Sequence, residues 1–194
     1  MHMFVNKNTA TPQNSHQLWE YILVAYPDEA VQQLVEEERA LLPQAYKSAS
    51  GMRPHITIAG FQAKEEMEET LVRWIQNICR LHSAFDITLN NFSGLPPHTI
   101  YLRIQDAQPL VQLAQRLRIL DGFVQSNDCP PVRLSGRHYL AIGSLPEAAY
   151  APALTEFAQR SFHASFRVDK IVLARRWWEG GSYELVDTFN LTTG

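Results

Sequence analysis

Cysteine is scarce in this 194-residue chain: there are two, Cys79 and Cys129, and they form no ligand or redox spacing. That excludes a recognisable metal–cysteine cluster or dithiol motif and favours a reduced, intracellular setting. Long apolar runs are lacking as well. None reaches the ~18 residues that a membrane span needs, and the polar opening "MHMFVNKNTATPQNSHQ" has no signal-peptide core. Positive charge is not in excess, since the formal net charge is −3. This argues against wrapping duplex DNA or lying on anionic lipid, but leaves room for a local basic pocket around a small phosphate ligand. The expectation is a soluble cytoplasmic protein. In that compartment the glycosylation-like "NFS" and "NLT" triplets have no use. What is present is ordinary globular material, 45% hydrophobic and 19% charged. A chain of this length buries roughly 70% of its unfolded surface without any staple.

The apolar pattern divides the chain into alternating strands and helices. Residues 1–17 read as a flexible polar arm and 18–194 as one domain. "YILVAYP" reads as a buried strand, after which Asp28 caps a helix carrying Val31, Leu34, Val35, Leu41 and Leu42. "PQAYKSASGMRP" is a loop leading into "HITIAGF", a strand. Met67, Leu71, Trp74, Ile75 and Ile78 mark a second amphipathic helix. "FDITLNNF" and "TIYLRI" are strands joined by a turn. Pro109 opens a helix with Leu110, Leu113, Leu117 and Leu120. A long loop, "GFVQSNDCPPVRLSG", then leads to the strand "RHYLAIGSL", and Leu154, Phe157 and Ala158 indicate a helix. "FRVDKIVLARR" and "YELVDTFNL" close the chain as a hairpin around "WWEGGS". The order strand, helix, His-bearing strand, helix, strand occurs from Tyr21 to Phe92 and again from Thr99 to Ala174. That is an internal duplication.

The duplication gives two histidines matching places, His55 and His138. Alternation puts His55 and Thr57 on one face of their strand, with Ile56 and Ile58 on the other. Pseudo-symmetric lobes would bring both imidazoles to one cleft. Histidine titrates near ~6.5, so one neutral ring can take a proton while a charged partner gives one. Such a pair suits transfer at phosphorus, with the Thr57 hydroxyl donating to a non-bridging oxygen. It needs no metal. Two histidines without a partnered carboxylate are a poor zinc or iron set, and no cofactor is expected. A lone histidine on a strand is otherwise an ordinary structural residue.

The segment "HITI", His55 to Ile58, resembles the first motif of the two-histidine (2H) phosphoesterase superfamily, the LigT-like 2′-5′ RNA ligases and cyclic phosphodiesterases. The resemblance extends through "FDITLNNFSGLPPHTIYLRI" and the ending "VDKIVLARRWWEGGSYELVDTFNL". It implies an α+β fold: a bilobal, duplicated domain with two antiparallel sheets facing a central cleft and helices outside. It also implies His55 and His138 as paired acid and base, with Thr57 holding phosphate. The expected activity is a metal-independent phosphoesterase. Its substrate would be a 2′,3′- or 1″,2″-cyclic nucleotide phosphate, or a 2′-5′ linkage at an RNA end. The second motif departs from the pattern, because "HYLA" puts Leu140 where Thr or Ser is expected. Leucine donates no hydrogen bond, so the alternative is a binding module for a nucleotide or RNA end. Leu140→Thr is expected to strengthen phosphate binding.

Other residues have two readings each. Arg176 and Trp177 in "ARRWW" can pair with phosphate and stack on a base, or form a solvated hairpin tip. Tyr183 can reach the cleft or sit at the core edge. Lys47 and Arg53 read as solvated loop charge, and His82, His98 and His163 as surface histidines. "EEER", Glu36 to Arg39, reads as a solvated helix face.

Overall fold

A computed structural model describes residues 18–43, 46, 52–177 and 179–193. The expected N-terminal arm, Lys47 and Trp178 lie outside the described residues. Among the described residues nine strands form one antiparallel sheet: β1 (Leu18–Ala25), β2 (Ile56–Lys64), β3 (Phe85–Leu95), β4 (Thr99–Ile104), β5 (Arg133–Leu134), β6 (Tyr139–Ser144), β7 (His163–Val168), β8 (Lys170–Trp177) and β9 (Glu184–Asn190). Their order is β7-β3-β4-β6-β2-β1-β8-β9, with β5 on β2. The helices are α1 (Glu29–Ala40), α2 (Glu68–Cys79), α3 (Gln108–Leu117), α4 (Ile119–Ser126) and α5 (Glu147–Ala158). The protein is a mixed α+β fold, as the sequence indicates.

The expected helices form for local reasons. The Asp28 side chain accepts from the Val31 amide at 2.9 Å, which caps α1. Val31, Val35 and Arg39 then point inward along that helix. In α2 the buried positions Leu71, Ile75 and Cys79 recur every fourth residue. One expectation fails: the loop foreseen from Gly122 begins later, because α4 continues to Ser126 with Leu120 and Val124 buried. Gly122 faces open space. The apolar stripe therefore carries the helix past a residue read as a breaker.

The sheet has two halves of four strands, β7-β3-β4-β6 and β2-β1-β8-β9, that meet at one registered pair, Ile56 with Leu140. From this joint outward, β2 matches β6, β1 matches β4, and β8 matches β3. The strand order is therefore symmetric about this joint, with β3 and β8 each lying in the half opposite to the helices that precede them in sequence. "FRVDKIVLARR" is not one strand either. It breaks at Asp169, where β7 goes to β3 and β8 goes to β1. Six strand spacings separate β7 from β8 along the sheet, about 29 Å if it lay flat. One residue cannot span that distance, so the sheet must fold back on itself. Edge contacts agree: the Ala84 amide donates to the Thr192 carbonyl at 2.8 Å, and the Thr192 amide to the His82 carbonyl at 2.9 Å.

Candidate active site

A cavity of about 330 Å³ opens at the joint between the halves. His55 and Thr57 line it from β2 and the residue before it, and Ile56 and Ile58 are buried behind them. The alternation read from "HITI" is therefore the alternation the sheet adopts. His55 Nδ1 lies 2.8 Å from the Arg53 carbonyl oxygen. A carbonyl only accepts, so Nδ1 carries the proton and Nε2 is left as the basic nitrogen. Burial pushes this ring below its ordinary value of 6.5. The Arg39 charge pushes it the same way, and the Arg53 carbonyl opposes both. The ring is neutral at pH 7.

The second half does not mirror the first. Arg137, Tyr139 and Ala141 line the cavity, whereas His138 and Leu140 do not. His138 is only 6% exposed and Leu140 is fully buried against Ile56. The cause is a bend. Leu134 pairs with Ala59 and Leu140 pairs with Ile56, so six residues on one side advance against three on the other. Three residues are left over beside β2, and they displace the register between β5 and β6. Arg137 and Ser135, from this bend, reach the cavity instead. The His138 Nδ1 donates to the Thr57 carbonyl at 3.2 Å, and its Nε2 is buried without a partner among the described residues. Burial lowers its pKa, with the Thr57 carbonyl opposing. The two histidines expected to face each other over one cleft are thus not brought together there.

Of the remaining candidates, Arg176 and Tyr183 line the cavity and Trp177 does not. Arg176 Nε donates to Glu20 at 2.6 Å and its guanidinium lies 4.8 Å over the Tyr183 ring. Burial, aided by the Glu20 charge, pushes the Tyr183 phenol up to about 12. Trp177 packs edge-on to Trp19, 5.0 Å between centroids. Its neighbour Arg175 points with it, held by Glu65, Glu68 and Glu184.

Sequence reasoning missed Arg39, Arg137 and Tyr139. Arg39, read within "EEER" as solvated, is 5% exposed and lines the cavity. Its Nη1 meets Glu36 at 3.0 Å, while its Nε has no partner among the described residues. The available signal was position: Arg39 lies four residues after Val35 on the buried stripe of α1. Arg53, also read as solvated, is exposed yet lines the cavity, over Tyr26 at 4.6 Å. His82 is buried against Phe85 rather than at the surface, while His163 is exposed as expected.

Among the described residues, four arginines and one neutral histidine therefore surround a space large enough for one small ligand, and no carboxylate lines it. Such a site attracts anions. Among the described residues, no cluster of three or more His, Cys, Asp or Glu could hold a metal ion. No described helix is long and apolar enough to cross a membrane.

Comparison with known proteins bears on the fold and the family. The model of the 2′-5′ RNA ligase superfamily matches residues 26–177. No curated protein sequence matches the chain. Among solved structures, Escherichia coli LigT complexed with NADP+ is similar at TM-score 0.68 and 19% identity, covering 91% of this chain and 100% of that one. LigT complexed with 3′-AMP is similar at 0.65 and 17%, over 91% and 99%. TT0787 of Thermus thermophilus is similar at 0.65 and 18%, over 90% and 98%. These likenesses carry the fold, and the family match spans most of the sequence. The chain belongs to the 2′-5′ RNA ligase superfamily, the two-histidine phosphoesterase group whose first motif is present here as His55–Ile58.

Proposed function

We propose that the cavity binds the phosphate of a nucleotide or RNA end and opens a 2′,3′-cyclic phosphate by metal-independent hydrolysis. The observation that carries this reading is the neutral His55 beside Thr57 in a small cavity lined by arginines. His55 Nε2 takes a proton from water as the water oxygen bonds to phosphorus. Thr57 and the guanidiniums hold the non-bridging oxygens, where negative charge builds. The bond to the departing ribose oxygen then breaks, and that oxygen needs a proton. Tyr183, a phenol kept protonated by burial and by the Glu20 carboxylate it faces, lines the cavity and gives that proton. His138 acts from behind, as a strut between the bend and the Thr57 carbonyl. Among the described residues, His55 is the only His, Cys, Asp or Glu lining the cavity, a donor set too poor for a resident divalent ion.

The placement of His138 favours a second reading, a nucleotide-binding module with weak or no turnover. One experiment separates them. Purified protein is incubated with 2′,3′-cyclic nucleotides, with and without EDTA, and binding is titrated in parallel. Turnover that resists EDTA and falls roughly 10²- to 10⁴-fold in His55→Ala supports the enzyme. Binding without turnover supports the module. Turnover that survives His55→Ala overturns the proposed chemistry.

A further inference from the structure

A larger groove adjoins the cavity, and its charge has the opposite sign. It encloses about 1030 Å³ against the cavity's 330 Å³, and Met52, Arg53 and Tyr183 line both. The cavity is therefore the basic end of a longer depression, with Arg53 and Tyr183 at the passage. Among the described residues four arginines and no carboxylate line the cavity, whereas Asp28, Glu29, Asp169 and Glu184 line the groove. Glu184 is held by Arg175 at 2.7 Å, and the groove's Arg167 meets Asp86 at 3.5 Å. Asp28, Glu29 and Asp169 are left, and beyond the passage Lys170 is the one cation left among the described lining residues. Asp28 faces an amide rather than a cation, the Val31 N–H. Between these charges the wall is apolar: Val172, Ala174 and Leu185, the last 67% exposed.

We infer that this groove makes the site selective for a single cyclic nucleotide over an RNA strand: the nucleoside lies along Val172 and Leu185, and Glu29 and Asp169 repel the next phosphate of a longer chain. A groove that tracks single-stranded RNA carries positive charge along the backbone's course. Here the positive charge is concentrated in the cavity and gives way to carboxylates past Arg53. A strand whose terminal cyclic phosphate sits at His55 continues from the 5′ oxygen of the same nucleoside, so it runs into the groove. Its next phosphate then meets carboxylates, and the low-dielectric walls of a cleft strengthen that repulsion. An uncharged nucleoside meets no such barrier. Its hydroxyl and amino groups donate to the carboxylates, while its base covers the apolar wall.

This inference rests on the proposed nucleotide reading, and the test keeps the two apart. Calorimetric titration compares a 2′,3′-cyclic nucleoside monophosphate with a tetranucleotide RNA ending in the same cyclic nucleotide. The tetranucleotide is expected to bind no more than about threefold tighter than the mononucleotide, and with no steeper dependence on salt. Combining Glu29→Gln with Asp169→Asn, both exposed, should strengthen the tetranucleotide at least about threefold and change the mononucleotide less than about twofold. Leu185→Ser should weaken the mononucleotide at least about threefold and leave inorganic phosphate unaffected. A tetranucleotide bound more tightly than that limit, or unmoved in the double variant, overturns the selectivity and leaves the phosphate site standing. A mononucleotide indifferent to Leu185→Ser overturns the placement of the nucleoside. Failure of both nucleotide ligands to bind overturns the proposed function and this inference together.

Discussion

Two side chains, His55 and Leu140, show how one residue's direction decides its role. His55 is neutral with Nε2 free, so the proposed base is active until acid protonates it. Its depressed pKa places the acid limb of kcat/KM below pH 6.5, and the rate should fall as pH drops through that limb. A limb at or above 6.5 would show that another group titrates. Thr57→Val keeps the shape and removes the hydroxyl. A loss of about 1.5–3 kcal/mol, or roughly ten- to a hundredfold in phosphate affinity, is expected in titration. Leu140 reverses the expectation formed from the motif alone. It is fully buried against Ile56, so Leu140→Thr introduces a hydroxyl into the core rather than a donor into the cavity. Urea unfolding should show a loss of about 1–3 kcal/mol, and phosphate affinity should not rise.

At the scale of elements, β6 controls the site because it is held on every side. It pairs with β4 along its length and with β2 at one residue, and α1 packs beside it. A Cβ on Gly143 would lie 2.5 Å from Leu42 Cδ1 and 2.8 Å from the Tyr46 backbone oxygen. A side chain tip can move, but the backbone behind it has little freedom. Gly143→Ala should therefore cost about 1–3 kcal/mol in denaturant unfolding. It should also weaken phosphate binding, because Tyr139 and Arg137 lead into the same strand. The split of "FRVDKIVLARR" belongs to this scale. Buried positions run Ala164, Phe166, Val168 and then Ile171, Leu173, so the parity flips at Asp169. That flip was legible in the apolar pattern. Asp169 is neither glycine nor proline, so residue type does not mark the break and the continuous apolar run reads as one strand.

For the whole molecule, the buried imidazoles His82 and His138 and the half-buried His55 make stability depend on pH. Each has its folded pKa lowered, with burial the main cause. Between about pH 6.5 and those lower values the unfolded chain binds protons that the folded protein refuses. Stability is therefore fully present above that window and is lost as pH falls through it. The urea midpoint should drop between pH 7 and pH 5, and more shallowly in His138→Gln, which removes one titrating ring. An unchanged dependence in that variant would show that His138 does not resist protonation in the fold.

Sequence alone determined the secondary structure of most elements and the facing of His55 and Thr57, because these follow from local periodicity. A period of two puts His55 and Thr57 on one face wherever the strand goes. It did not determine what His138 faces. That depends on a three-residue surplus between Leu134 and Leu140, counted only against the partner strand β2. Nor did it reveal Arg39, whose exposure was decided by the sheet against which α1 packs. Periodicity is carried by neighbours in the chain. Register and burial are carried by neighbours in space, and the curled sheet alone brought them together.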